Sequence, residues 1–575
     1  MSQKKNKALR KQQKIEVAIP VNVVDNNLGF FKKIKDNWKF LVVLCLGIIA
    51  LYWNSLHGAF VSDDYASIPQ NPLITNFSVG VGGLLVGISN WLIAVIFGTV
   101  NPFYYHLLSL LFYLLTCLVA FVLVSIIFNE IIAKYTLIIF AVLPVHVEAV
   151  TWISGKPYLF NAFFVLLSLT IFVLFLKTDN KKYLYYLLAL LPLTFFAEKV
   201  RSTALLLLAF LYFISFETNY RKKISLSKFF IIFSLLLIFS GIILRSQIIN
   251  RVQIVNSGYN FSGDVFYNPF FQYPTAIAKY LQLIFIPTDL TLYHTMFVLP
   301  IWLNWAILIN YLILVVYFYF KDKRYFFVLA FIFVATAPSM APIKVSWLVA
   351  ERYVFLGSLG FCLLLALLLD SFKKNKTLLL SVFTIFLLLP YAVLTFLRNI
   401  DWQTNHNLWV KTVQVSPNSH NAWNNIGDDY DKLKQYDNAI KGFSQSTIVK
   451  PDYADAYHNR ANIFYKTGRL DLAIDSYETA LKYSPTLYQT HTSLVQIGLM
   501  MKDYKLAIDH AKKLIEIQNN NPTSYYIYGI VMLQTEQIDE AKNAMEMALK
   551  IYPEYKQAKD VLMQLKQSTV PETQR

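Results

Sequence analysis

The chain is 575 residues long, enough for more than one domain, and is 56% hydrophobic, 16% aromatic and only 15% charged. A soluble domain carries about 25% charged residues, so this composition, with a mean hydropathy of +0.44, excludes a wholly water-soluble protein. The formal charge of +17 does not point to nucleic acid, because the basic residues stand in short runs between apolar segments; no nucleic-acid partner is expected.

Residues 1–37 form a basic tail (Lys4, Lys5, Lys7, Arg10, Lys11, Lys14, Lys32, Lys33, Lys35). It is too long and polar for a secretory signal, so the first apolar segment is expected to stay as an anchor. From about Phe40 to Phe396 the chain is apolar, and a bilayer-crossing helix needs about 20 such residues. Spans are expected near 38–55, 103–128, 132–147, 157–176, 183–198, 202–216, 227–244, 299–320, 325–341, 350–370 and 377–397, about eleven in all. Two further apolar stretches, near 82–100 and 274–288, read as helices lying in the interface or re-entering.

Basic runs stay on the cytoplasmic side during insertion. The further runs are Lys177/Lys181/Lys182, Arg221/Lys222/Lys223, Lys321/Lys323/Arg324 and Lys373/Lys374/Lys376. With the tail inside, eleven spans put every run in the cytoplasm, whereas counting only one of the ambiguous stretches as a span exports some of them. The loop after the first span, the loops at 145–157, 245–298 and 342–352, and the chain's C-terminal part then share the extracytoplasmic side. Cys45, Cys117 and Cys362 all fall within apolar spans, which argues against a disulfide framework or a zinc site.

Those external loops hold the residues that could do chemistry. The first carries Phe60-Val-Ser-Asp-Asp-Tyr65, with Asp63 and Asp64 just past the first span. Carboxylates at a membrane surface beside an apolar cavity can hold a raised pKa and act as a general base, although an Asp-Asp pair in a loop is also common turn chemistry. His146, Glu148 and Lys156 follow in the next loop, then Glu198-Lys199-Val-Arg201 and Glu351-Arg352-Tyr353. Each cluster alone could be ion-paired residues fixing a helix end; together they put acids and cations on one membrane face. That combination suits a lipid-phosphate sugar donor. Arg or Lys holds the phosphate as it leaves, a carboxylate takes the acceptor hydroxyl's proton, and Arg352, Lys199 and Arg201 are the phosphate candidates. A divalent cation could bridge two carboxylates and a phosphate, but no further oxygen ligands cluster in the sequence, so no metal or other cofactor is assigned.

From Pro417 the chain reads as soluble, and Ala439, Ala473, Ala507 and Ala541 recur every 34 residues. Pro451, Pro485 and Pro553 keep the frame, with Asn519 in the intervening slot. A 34-residue period with a small residue where two helices touch and a proline at the turn is the tetratricopeptide signature. About four repeats would make a short curved solenoid whose concave face suits a polypeptide.

Several stretches carry a family resemblance: Phe60–Pro72 (FVSDDYASIPQNP), Asn101–His106 (NPFYYH), Pro144–Lys156 (PVHVEAVTWISGK), Glu351–Leu365 (ERYVFLGSLGFCLLL) and Arg398–Trp402 leading into repeats. In this order they resemble the transmembrane-and-tetratricopeptide O-mannosyltransferases and their bacterial relatives, themselves similar to the GT-C glycosyltransferases. Two places depart from the family pattern: Val81-Gly-Gly-Leu84 stands where relatives carry a Tyr-Arg-Pro-like stretch, and Glu198-Lys199 reverses the usual order. The resemblance implies that Asp63 or Asp64 is the base, that the anomeric carbon is inverted, and that Glu148 is a second acid; His146, Lys156 and Glu351 remain further candidates.

The expected fold is all-α: a tail over 1–37, a GT-C-like membrane domain over 38–397, a linker over 398–416, an extracytoplasmic repeat solenoid over 417–566 and a short tail over 567–575. The expected function is transfer of a sugar, mannose by the resemblance, from a polyprenyl- or dolichyl-phosphate donor in the bilayer to Ser or Thr of an extracytoplasmic polypeptide held by the repeats. A lipid or surface-glycan acceptor and a non-catalytic repeat scaffold are the alternatives. The membrane is the bacterial plasma membrane or, in a eukaryote, the endoplasmic reticulum.

Overall fold

The computed structural model describes residues 29–72, 74–75, 83–217, 268–340, 347–372 and 377–568, and every regular element among them is a helix. The expected span at 227–244, the tail residues before Gly29 and the basic runs at 221–223 and 373–376 lie outside the described residues. The chain divides into two compact units, Met1–Lys411 and Thr412–Arg575.

Among the described residues of the first unit, five helices are long and apolar enough to cross a membrane: Trp38–His57, Phe103–Ile127, Ile153–Thr178, Ile301–Lys321 and Lys323–Met340. Glu130–Ala141 with Pro144–Thr151 makes a sixth if that pair, bent by 65°, is one span. Of the other expected spans, Lys181–Ala197, Thr203–Phe216 and Ser358–Phe372 are helices of 17, 14 and 15 residues, and Thr377–Asp401 runs for 25. The ambiguous stretches are also helical, at Leu84–Phe97 and Pro269–Phe285.

Phe103–Ile127 sits at the centre, buried along most of its length, against Lys156–Thr178 on one side and Glu130–Ala141 on another. Ile301–Lys321 is the opposite case. Trp302, Ile309, Ile313, Val316 and Phe320 are exposed, as a lipid-facing surface requires, because hydrocarbon solvates apolar side chains and leaves only packing and polar contacts to hold helices together. Such packing is close where Ser358–Phe372 crosses Lys323–Thr336: a Cβ added at Gly360 would lie 3.0 Å from the Val328 carbonyl oxygen.

Two expectations change in detail. The helix expected from 350 starts at Ser358, and Glu351–Val354 forms its own 3-10 turn. The stretch expected as a loop at 145–157 is three short helical pieces, Pro144–His146, Val147–Thr151 and Ile153–Gly155. They stack so closely that a Cβ on Gly155 would fall 2.5 Å from the Glu148 carbonyl oxygen. No side chain fits there, so only glycine lets the third piece fold back on the second.

The described residues of the second unit form four helix pairs: His420–Lys432 with Tyr436–Val449, Ala454–Lys466 with Leu470–Tyr483, Tyr488–Met501 with Tyr504–Ile517, and Pro522–Gln534 with Ile538–Ile551. Lys556–Ser568 closes the series. Ala439, Ala473, Ala507 and Ala541 are all wholly buried where the paired helices touch. In the first pair the approach is close enough that a Cβ on Gly442 would lie 2.9 Å from the Cα of Gly427. Each pair buries only one side of itself, and its neighbour covers the rest, so Tyr477 of one pair packs with Leu494 and Ile497 of the next.

Candidate functional site

The first loop is built around a strained residue. Ser62 has a φ of +53°, uncommon for a residue with a side chain. It is held from two sides, its N–H donating to Asn405 Oδ1 at 2.8 Å while the Val61 N–H donates to Asp64 Oδ2 at 3.1 Å. Asp64 Oδ1 accepts from the Ser154 N–H at 2.8 Å and from Ser154 Oγ at 2.5 Å. Asp64 is therefore buried with both oxygens engaged, and it fastens the first loop to the turn at 153–155. Burial pushes its carboxyl up to about 7, against the Ser154 and Val61 hydrogen bonds and the charge of Lys156.

Asp63 is the opposite of its neighbour. It is exposed, yet enough protein surrounds it that desolvation still raises its carboxyl above the ordinary range, opposed by the Arg352 charge and the Ser62 hydroxyl. It is thus open to solvent and within the field of Arg352.

Arg352 is fixed by Glu148. Its guanidinium ion-pairs with Glu148 Oε1, and its backbone N–H donates to Glu148 Oε2 at 2.8 Å. The Arg352 guanidinium also lies 5.0 Å from the Tyr353 ring centre and 5.5 Å from that of Tyr158. Arg201 lies over the same two rings, 4.3 Å from Tyr158 and 4.9 Å from Tyr353. Its Nε donates to Ser339 Oγ at 3.1 Å and Nη1 pairs with Glu198 at 3.4 Å. Two like charges thus share one pair of tyrosines. That arrangement repels in the free protein, and an anion beside it would relieve the repulsion. Tyr158 drew no attention in the sequence; a tyrosine one turn into an apolar helix carries no signal of its own.

The remaining candidates separate. Lys156 is buried, donating to Asn90 Oδ1 at 2.5 Å and lying over the Tyr105 ring, so it ties the short helix Leu84–Phe97 to the turn. His146 is a core residue: Nδ1 meets the Tyr113 hydroxyl at 3.0 Å and Nε2 meets Ser358 Oγ at 2.7 Å, with Phe140 and Phe355 packed around the ring. Lys199 is half-buried in the Glu198–Ser202 turn, its carbonyl accepting from Ser202 Oγ at 2.8 Å. Glu351 is buried beside Arg398. Among the described residues no group of three or more His, Cys, Asp or Glu side chains is placed to hold a metal ion.

Comparison with known proteins bears on both units. Residues 454–487 match the tetratricopeptide repeat model and residues 427–468 a second TPR repeat model. The protein O-mannosyl-transferase TMTC3 of Homo sapiens is 27% identical over 222 residues, covering 37% of this chain and 22% of that protein. Tmtc3 of Drosophila melanogaster is 24% identical over 229 residues, covering 38% and 23%. TMTC2 of Mus musculus is 32% identical over 133 residues, covering 22% and 14%. The chain is a relative of these proteins and spans about a fifth of the length of the first two. The longer matches exceed the whole repeat unit, so they reach into the membrane unit. Among solved structures, MamA aligns over 27% of this chain and 84% of its own at 21% identity with a TM-score of 0.24. YrrB, a TPR protein, aligns over 33% and 95% at 14% identity with a TM-score of 0.25.

Proposed function

We propose that this protein is a membrane glycosyltransferase that moves a sugar from a polyprenyl- or dolichyl-phosphate donor to Ser or Thr hydroxyls of an extracytoplasmic polypeptide held by the repeats. The observation that carries the reading is that Asp63 is exposed and within the field of Arg352, which is fixed by Glu148 and shares Tyr158 and Tyr353 with Arg201. The relationship to the TMTC O-mannosyl-transferases supports mannose as the sugar.

In this mechanism the lipid tail of the donor stays in the bilayer and its phosphate meets Arg352 and Arg201. The acceptor hydroxyl gives its proton to Asp63 as its oxygen attacks the anomeric carbon from the face opposite the phosphate. The carbon–oxygen bond to phosphate breaks, the configuration inverts, and the polyprenyl phosphate leaves with its charge held by the guanidiniums. Asp64 positions the loop without touching the reacting atoms. Glu148 keeps Arg352 in place.

The reading is tested in membranes with polyprenyl-phosphate-mannose and a pool of extracytoplasmic proteins, comparing wild type with Asp63→Asn. Transfer that disappears in the folded variant supports it. Transfer that survives removes Asp63 as the base. A sugar appearing on lipid or glycan would change the acceptor, and a wild type that transfers nothing from any lipid-phosphate sugar would favour a non-catalytic scaffold.

A further inference from the structure

Next to Arg352 in the chain, Glu351 belongs to a second charged cluster that the mechanism above does not use. Glu351 Oε1 accepts from Arg398 Nη2 at 2.9 Å and from the Thr291 N–H at 2.6 Å, and His294 Nε2 stands 3.7 Å away. Arg398 Nη1 donates to Asp401 Oδ2 at 3.0 Å. Thr291, His294, Glu351 and Arg398 are each at most 5% exposed. Four of their polar atoms, Thr291 Oγ1, His294 Nε2, Glu351 Oε2 and Arg398 Nε, have no hydrogen-bond partner. Burying a polar atom without a partner is unfavourable, so this cluster does not act as stabilising packing alone.

Two routes connect Arg398 to Arg352. The first is the backbone: Arg398 holds Glu351, the neighbour of Arg352 in the Glu351–Val354 turn. The second is a stack of rings. Arg352 lies 5.3 Å from the Trp152 ring centre, Trp152 and Trp402 are 5.6 Å apart with planes tilted by 31°, and Arg398 lies 5.5 Å from Trp402. Two guanidiniums therefore bracket two indoles, and the indole Nε1 atoms of both are also buried without a partner.

We infer that Arg398, acting through Glu351 and the Trp152–Trp402 stack, is a positioning residue that sets Arg352 for the phosphate of the lipid-linked donor. The inference rests on the donor reading proposed above. It assigns Arg398 no contact with substrate; the residue fixes where Arg352 points and so affects the donor alone.

The test measures binding of undecaprenyl phosphate and dolichyl phosphate to the full-length protein in detergent or nanodiscs, with steady-state transfer alongside. Arg398→Ala should weaken binding and raise the donor KM by about tenfold, the equivalent of one lost positioning contact. The acceptor KM should stay unchanged and Arg398→Lys should recover part of the loss. A purely structural residue would lower the thermal midpoint without this split between donor and acceptor. Folded Arg398→Ala with wild-type donor affinity overturns the inference. If Arg398→Ala does not fold, Arg398→Lys and Glu351→Gln decide in the same way: wild-type donor affinity in both overturns it. A wild type that binds neither polyprenyl phosphate overturns the donor reading and the inference together. Wild-type binding that Arg352→Ala weakens and the Arg398 variants do not overturns the inference alone.

Discussion

Asp64 accepts hydrogen bonds from both the backbone and the side chain of Ser154, at 2.8 and 2.5 Å, across 90 residues of chain. The pair sets two adjacent carboxylates in different surroundings: Asp64 is buried and fastens the loop, while Asp63, the base proposed above, is exposed.

The two carboxylates should therefore differ in how they fail. Asp63→Asn should fold with a normal thermal midpoint and lose about 10²–10⁴-fold in transfer rate, the usual contribution of a general base. Asp64→Ala should destabilise the protein by about 1–3 kcal/mol, because the Ser154 donors lose their acceptor, and its activity should fall with its folded fraction. Parallel activity and unfolding measurements on the two variants check this; equal losses of rate in stably folded protein would contradict the division of labour.

Protonation of Asp64 should also leave a mark on stability. An unfolded aspartate titrates near about 3.9, and the folded group at about 7. Between those values the folded chain binds more protons, so stability should fall as pH rises from about 4 to about 7 and then level off. Thermal midpoints of wild type and Asp64→Asn across that range provide the check, since the variant should lose this part of the slope.

Transfer itself should follow Asp63 in its basic form. Its carboxyl is raised above the ordinary aspartate range by desolvation, so the acid limb of the rate profile should have its midpoint above about 3.9. Replacing Arg352 with Gln removes the charge that opposes this shift, and should move the midpoint further up in whatever activity remains.

Glu148 and Arg352 are both buried, so the cost of breaking the pair depends on what replaces Glu148. Glu148→Ala strands a guanidinium without its carboxylate and should cost about 3–5 kcal/mol. Glu148→Gln keeps the shape and an acceptor for the Arg352 N–H, and should cost less. Unfolding in detergent separates the two.

In the repeats, Ala473 packs against Ala461, Tyr477, Leu494 and Ile497 without exposed surface. Ala473→Leu would push the paired helices apart and should destabilise the array by about 1–3 kcal/mol, read as a lower midpoint for the helical signal of the repeats. The exposed Leu472→Ala at the adjacent position should change it little.

Much of the fold was legible because the signals are local. A run of apolar residues long enough to cross hydrocarbon reads the same in any context, which is why Phe103–Ile127 and Ile301–Lys321 stand where the sequence places them. The alanines 34 residues apart mark a contact between neighbouring helices, so the repeats are legible too. Boundaries set by packing were not: Glu351–Val354 leaves the helix that follows because its charges must meet Glu148 and Arg398 on other segments.

The sequence by itself determined the two-part organisation and the residue types available for chemistry, since hydropathy and a 34-residue period are properties of the chain before it folds. Only the tertiary structure decided where those residues sit. It closed His146 into the core between Tyr113 and Ser358, engaged Asp64 and left Asp63 open, and brought Arg201 and Arg352 to the same two tyrosines. The physical reason is that the reach of a charge is set by distance and burial, and residues 151 positions apart share a site only once the helices between them have packed.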